Sequence, residues 1–205
     1  MKRVFWFLAL GTSLLVACSQ NEPTLPVLGP FERVDGEKVY APVRAFELLN
    51  QEGDTIRQGD LQGKIRIADF FFISCPTICP KLQSEMLRIR QAFSDDDRVV
   101  LLSHTIDPKR DSVAALAHYA KNLGVTAAEQ WQFLTGNRDS IYELADDYFN
   151  IAVVAPDAPG GFDHSGRITV VDTAGYIRTF ANGLDEAEVD ALIENTKVLL
   201  NELDH

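Results

Sequence analysis

Cys75 and Cys79 stand four residues apart in the run Phe70-Phe71-Phe72-Ile73-Ser74-Cys75-Pro76-Thr77-Ile78-Cys79-Pro80, behind an apolar segment and ahead of an amphipathic one. Thiols at a strand-to-helix junction meet unpaired backbone N–H groups and the positive end of the helix dipole, and both favour thiolate over thiol. Two chemistries are open to such a pair. It can cycle between dithiol and disulfide, or its sulfurs, held about two metal–sulfur bonds apart (~4–5 Å), can chelate a soft ion such as monovalent copper or zinc. A bond made only for stability is the weaker explanation, because so small a ring removes roughly 2 kcal/mol of unfolded-chain entropy.

A third ligand would add selectivity, and imidazole is the usual choice. Of the four histidines, His205 ends the chain and His118 sits in mid-helix. His104 closes an apolar strand and reads as a hydrogen-bonded core or rim residue, with an auxiliary metal contact left open. His164, in the polar Gly160–Gly166 loop just ahead of a strand, is the best ligand candidate.

The N-terminus carries Lys2 and Arg3, an apolar stretch and then Leu15-Val16-Ala17-Cys18. This is export-signal anatomy, with an apolar part short of the ~20 residues that span a bilayer and an end like the lipobox of bacterial lipoproteins. Residues 1–17 read as a lipoprotein signal peptide and Cys18 as the lipidation site; an uncleaved anchor is the alternative, and both place the body outside the cytoplasm on a membrane. Cys18 then drops out of the thiol count, leaving the pair. Without Lys2 and Arg3 the chain has 17 basic against 30 acidic residues, a net charge of −13. Such a surface repels nucleic acid.

Residues 18–43, with Pro23, Pro26, Pro30 and Pro42, read as an extended membrane tether, and 44–205 as one domain. The domain opens with a hairpin around Asn50–Asp54. Lys64–Ile73 is a strand, apolar on both faces in its later half, as central strands of helix-covered sheets are. Lys81–Phe93 is an amphipathic helix, Arg98–Ile106 a second strand, and Asp111–Leu123 a helix capped by Asp111 or Ser112. Trp131–Leu134 is a third strand and Ser140–Phe149 a third helix. Gly166–Asp172 and Tyr176–Phe180 form a hairpin across Thr173-Ala174-Gly175, and Glu186–Leu203 is the last helix. Alternating strands and helices, then a hairpin and a helix, predict an α/β thioredoxin-like fold, a mixed central sheet with helices on both faces. Against thioredoxin-like reductases, the cysteine spacer here is one residue longer, which widens the mouth of the dithiol.

The chain resembles the Sco/SenC family, membrane-tethered thioredoxin-fold copper proteins that help build the copper centre of cytochrome c oxidase. The resemblance rests on Phe72–Pro80, on Ser103-His104-Thr105-Ile106-Asp107-Pro108-Lys109-Arg110-Asp111, and on Asp163-His164 ahead of a strand. It implies that Cys75, Cys79 and His164 bind copper, as Cu(I) or Cu(II), with Asp163 at most a tuning residue and Asp107–Asp111 shaping the facing loop. It further implies delivery to the oxidase subunit with the copper A site, alongside other copper chaperones or thiol–disulfide oxidoreductases, by a bacterial extracytoplasmic lipoprotein. The rival from another class is an enzyme, a thiol–disulfide oxidoreductase working through Cys75 and Cys79 alone.

Overall fold

The computed structural model describes residues 24–125 and 130–204. The signal segment, Cys18 and His205 lie outside these. The central strand, β5 (Ile65–Phe71), is buried at every position because both of its faces are covered. It pairs in parallel with β6 (Val99–Thr105), and β6 with β7 (Trp131–Leu134). On its other side β10 (Arg167–Val171) runs antiparallel, followed by β11 (Ile177–Asn182), so the sheet order is β11-β10-β5-β6-β7. A parallel pair needs a crossover, and α1 (Cys79–Ala92) and α2 (Val113–Asn122) supply the two.

Alternation along β5 assigns the layers. Asp69 accepts from Gln83 of α1, and Thr179, in line with Val170 and Ile67, accepts from Asn195 of α4 (Glu186–Leu203). Phe70 points the other way and meets Tyr148, the residue closing α3 (Arg138–Asp147), at 5.8 Å between ring centroids. Helices therefore cover both faces of a mixed sheet, as a thioredoxin-like fold requires. The expected N-terminal hairpin is β3 (Glu47–Leu49) with β4 (Thr55–Arg57).

Two local expectations need correcting, and one choice left open is decided. Inside the segment read as an extended tether, β1 (Phe31–Val34) and β2 (Glu37–Tyr40) pair as a hairpin. Its turn, Asp35-Gly36, has φ of 51° and 86°, the positive pair that the right-handed strand twist selects in two-residue turns. The flexible loop read around His164 is instead a pairing of β8 (Ala152–Val154) with β9 (Phe162–His164). Ser112, not Asp111, caps α2, accepting from Ala115 N–H; Asp111 is buried, where it accepts from Thr105 Oγ1 and from the Ile73 N–H.

Candidate metal centre

After β5 ends at Phe71 the chain makes a tight turn, with Cys75 N–H bonded to Phe72 O at 3.1 Å, and enters α1 at Cys79. Ile78, at the cap position, offers no side-chain acceptor to the first turn, and Pro80 has no N–H to satisfy. Cys75 thus lies in the loop and Cys79 is the first helical residue, so the pair bridges the junction rather than one helix face. Both thiols are free and buried, at 7% and 2% exposure.

His164 arrives from the far side, 85 and 89 residues along the chain from the two cysteines. Pairing of β9 with β8 and the Ser165 N–H bond to Ile151 O fix its backbone. The Phe72 ring packs edge-on against the imidazole at 5.4 Å, and Phe162 backs Phe72 at 5.1 Å. Nε2 then stands 3.6 Å from each sulfur, and the ligand atoms of all three residues fall within 4.8 Å of one another. An ion about 2.3 Å from a sulfur and 2.0 Å from the nitrogen would subtend roughly 110° across 3.6 Å, an unstrained angle for a trigonal or tetrahedral soft ion. Two sulfurs and one imidazole, buried and convergent, fit a soft metal. Nδ1 of His164 has no hydrogen-bond partner among the described residues, so packing, not a carboxylate, orients the ring.

The two thiols differ in acidity. Burial pushes Cys75 up, but His164 and the backbone N–H groups of Thr77 and Cys79 outweigh it and hold Cys75 down at about 6. Cys79, deeper, is pushed well above the ordinary thiol range by burial and by its neighbour Cys75. Cys75 is therefore the thiolate near neutrality.

Asp163 is exposed and leaves the strand on the side opposite His164, away from the imidazole. His104 is elsewhere: fully buried, stacked on Phe70 at 4.8 Å, it contributes nothing to the sulfur–imidazole cluster. Burial lowers its pKa to about 4, so it stays neutral. His118 is exposed on α2. Sequence reasoning gave no role to Thr77, whose Oγ1 is 3.7 Å from Cys75 Sγ, although it lies within the cysteine motif. It also missed Gly160, where a Cβ would fall 2.6 Å from the Phe72 ring. The Gly160-Gly161 pair was the available hint, since such pairs mark turns, and both residues have positive φ, 82° and 87°. Arg110 clamps the same corner, stacking over Phe162 at 5.6 Å and donating to Gly160 O at 3.2 Å.

Fold and cluster together define a thioredoxin-like dithiol protein with a histidine placed to complete a metal centre. The chain belongs to the SCO1/SenC family, whose pattern matches residues 35–201. It is 28% identical over 168 residues to the SCO1 protein homolog of Bacillus subtilis, covering 79% of this chain and 86% of that one. Among solved structures it is similar to Bradyrhizobium japonicum ScoI with copper bound, at 25% identity, TM-score 0.62, covering 75% of this chain and 98% of that one. It is also similar to BsSco, described as having a disulfide switch and as a member of the Sco family of cytochrome c oxidase assembly proteins, at 28% identity, TM-score 0.67, covering 77% and 92%.

Proposed function

We propose that this chain carries copper on Cys75, Cys79 and His164 and hands it to the cytochrome c oxidase subunit that holds the copper A site, working outside the cytoplasm from a lipid on Cys18. The observation that carries this is the convergence of two buried sulfurs and one imidazole nitrogen within 4.8 Å. Similarity to a copper-bound ScoI supports the choice of ion. Copper is cargo: two thiolates hold it as Cu(I), and the imidazole makes the third contact that Cu(II) also accepts. Cys18 would carry the lipid, and the body that follows would present the centre to its partner.

One observation favours a second reading, thiol–disulfide exchange. The acidity split between Cys75 and Cys79 suits a nucleophile and a resolving thiol: the Cys75 thiolate attacks a substrate disulfide, expelling one substrate thiol and forming a mixed disulfide, and Cys79, losing its proton, attacks Cys75 Sγ and expels the second substrate thiol. The pair ends as a disulfide and the substrate as two thiols, a two-electron exchange. Complementation of cells lacking the protein separates the readings. Copper delivery predicts failed oxidase assembly for both His164→Ala and Cys75→Ala; normal assembly with His164→Ala beside failure of Cys75→Ala would give the function to the dithiol alone.

A further inference from the structure

The β1–β2 ribbon stands clear of the domain: Phe31, Val34 and Val39 are 44%, 49% and 51% exposed, and its other residues are exposed or half-buried. Its register sorts the side chains. Phe31 faces Tyr40 and Arg33 faces Lys38, and residues two apart share a face, so one side carries two aromatic rings and two cations. The opposite side carries Glu32, Glu37, Val34 and Val39. The first set is organised as a unit: Phe31 and Tyr40 are 5.5 Å apart, and Lys38 Nζ and Arg33 Cζ lie 4.6 and 5.9 Å from the Phe31 ring. Aromatic rings that settle at a headgroup boundary, beside long cations that reach phosphate, match an anionic lipid surface.

We infer that this aromatic-and-basic face docks on the anionic phospholipid surface of the membrane and holds the metal centre at the pole of the domain turned away from it. The inference rests on the lipid attachment at Cys18 proposed above. From Cys18 to Leu25, where the chain is tied to the body by Leu25 N–H to Glu202 Oε1, only six residues intervene, seven steps with a reach of at most ~25 Å. The ribbon follows at once, rooted where Leu28 bonds Ile177 and Val43 bonds Gly175. Ile177 is level with Val171 and Arg66, at the start of β5, whereas Cys75 lies beyond its end and His164 just before β10, which runs the other way. The length of β5, seven residues or ~23 Å, therefore separates the ribbon's roots from the metal ligands. Charge agrees with this pose. On a body of net charge −13, which an anionic bilayer repels as a whole, this face gathers two cations, with Glu32 and Glu37 on the ribbon's other side and Asp35 at its turn.

The test uses the processed full chain, reconstituted into vesicles of phosphatidylethanolamine and phosphatidylglycerol with brominated acyl chains, carrying Phe31→Trp; the unsubstituted protein, whose Trp131 is buried, supplies the baseline. The added indole is expected to lose at least half its emission relative to unbrominated vesicles. Adding Arg33→Glu and Lys38→Glu, both on the exposed ribbon, should restore it. Protein that pellets with the vesicles while its indole stays unquenched overturns the docking and spares the anchor; protein that does not pellet overturns both. Quenching that survives charge reversal, or that is equal in phosphatidylcholine, overturns recognition of anionic lipid. An indole that shifts only when oxidase is added to the vesicles assigns the ribbon to a protein partner instead.

Discussion

His164 Nε2 and Cys75 Sγ stand 3.6 Å apart although 89 residues separate them in the chain, and the contact does two things at once. It lowers the Cys75 pKa toward neutrality, and it aims the imidazole where an ion held by both sulfurs would sit. Removing the ring should therefore act unequally on the two oxidation states. His164→Ala is expected to weaken Cu(II) binding by 100-fold or more, because that ion prefers a tetragonal set with nitrogen, and Cu(I) binding by much less, because two thiolates satisfy it. Competition titrations against chelators of each ion measure the difference; equal losses would detach the imidazole from the site.

The ring behind His164 is held in turn by a glycine. A Cβ at Gly160 would press on the Phe72 ring from 2.6 Å, and the φ of 82° adds backbone strain. Gly160→Ala should cost about 1–3 kcal/mol of stability and lower copper affinity without touching a ligand. Chemical denaturation alongside copper competition checks this. A loss of stability with unchanged affinity would show that Phe72 does not position the imidazole.

Two buried groups on neighbouring strands bend the pH dependence of stability in opposite directions. Burial raises Asp69 to about 7, against the hydrogen bonds from Ser103 and Gln83, so the folded state holds a proton that the unfolded chain has lost above pH 4. Its contribution is complete below pH 4 and is lost as pH rises to about 7, a fall of roughly 4 kcal/mol at most. His104, lowered to about 4 by burial, works the other way: its contribution is present above the unfolded value of 6.5 and lost as pH falls toward 4. The wild-type profile superposes the two. Denaturation of Asp69→Asn beside wild type from pH 4 to 8 should show a stability difference that moves in the variant's favour as pH rises and levels off above 7; a difference independent of pH would mean that Asp69 is ionised throughout.

His104 itself is a packing residue, stacked on Phe70 and set at 5.7 Å from Tyr148. His104→Ala is expected to destabilise the fold by about 2–4 kcal/mol through the cavity it leaves, while copper stoichiometry stays the same. Metal content of the purified variant decides it, and a lost copper equivalent would restore the auxiliary-ligand reading.

Cys18→Ser should release the protein from membranes, since the apolar segment before it is short of a span. Fractionation reads the outcome, and mass spectrometry of the wild type should find the first seventeen residues gone. An intact Met1 terminus would end the lipoprotein reading.

The sheet was legible because its central strands announce themselves: Phe70-Phe71-Phe72 and Val99-Val100-Leu101-Leu102 are apolar on both faces, and only a doubly covered strand tolerates that. Trp131–Leu134 and Glu186–Leu203 fall where their patterns put them. The short elements were not legible. β8 and β9 hold three residues each, too few for a period, and form because Ile151 and Asn150 bond Ser165 across the gap. β1 and β2 were hidden by reading four prolines as an extended segment, although Asp35-Gly36 is a strong turn signal. At the site the dithiol and His164 could be named from residue types. The acidity split could not, because it depends on which sulfur the helix start buries and which it leaves against backbone N–H groups.

The central claim is that copper sits on the reduced dithiol with His164, and one titration tests it most directly. Reduced protein loaded with copper and passed over a desalting column should retain about one copper per chain; after oxidation of Cys75 to Cys79, verified by loss of two titratable thiols, it should retain none, because a disulfide offers no thiolate ligands. Copper retained in equal amount by the oxidised protein would contradict the account and place the metal elsewhere.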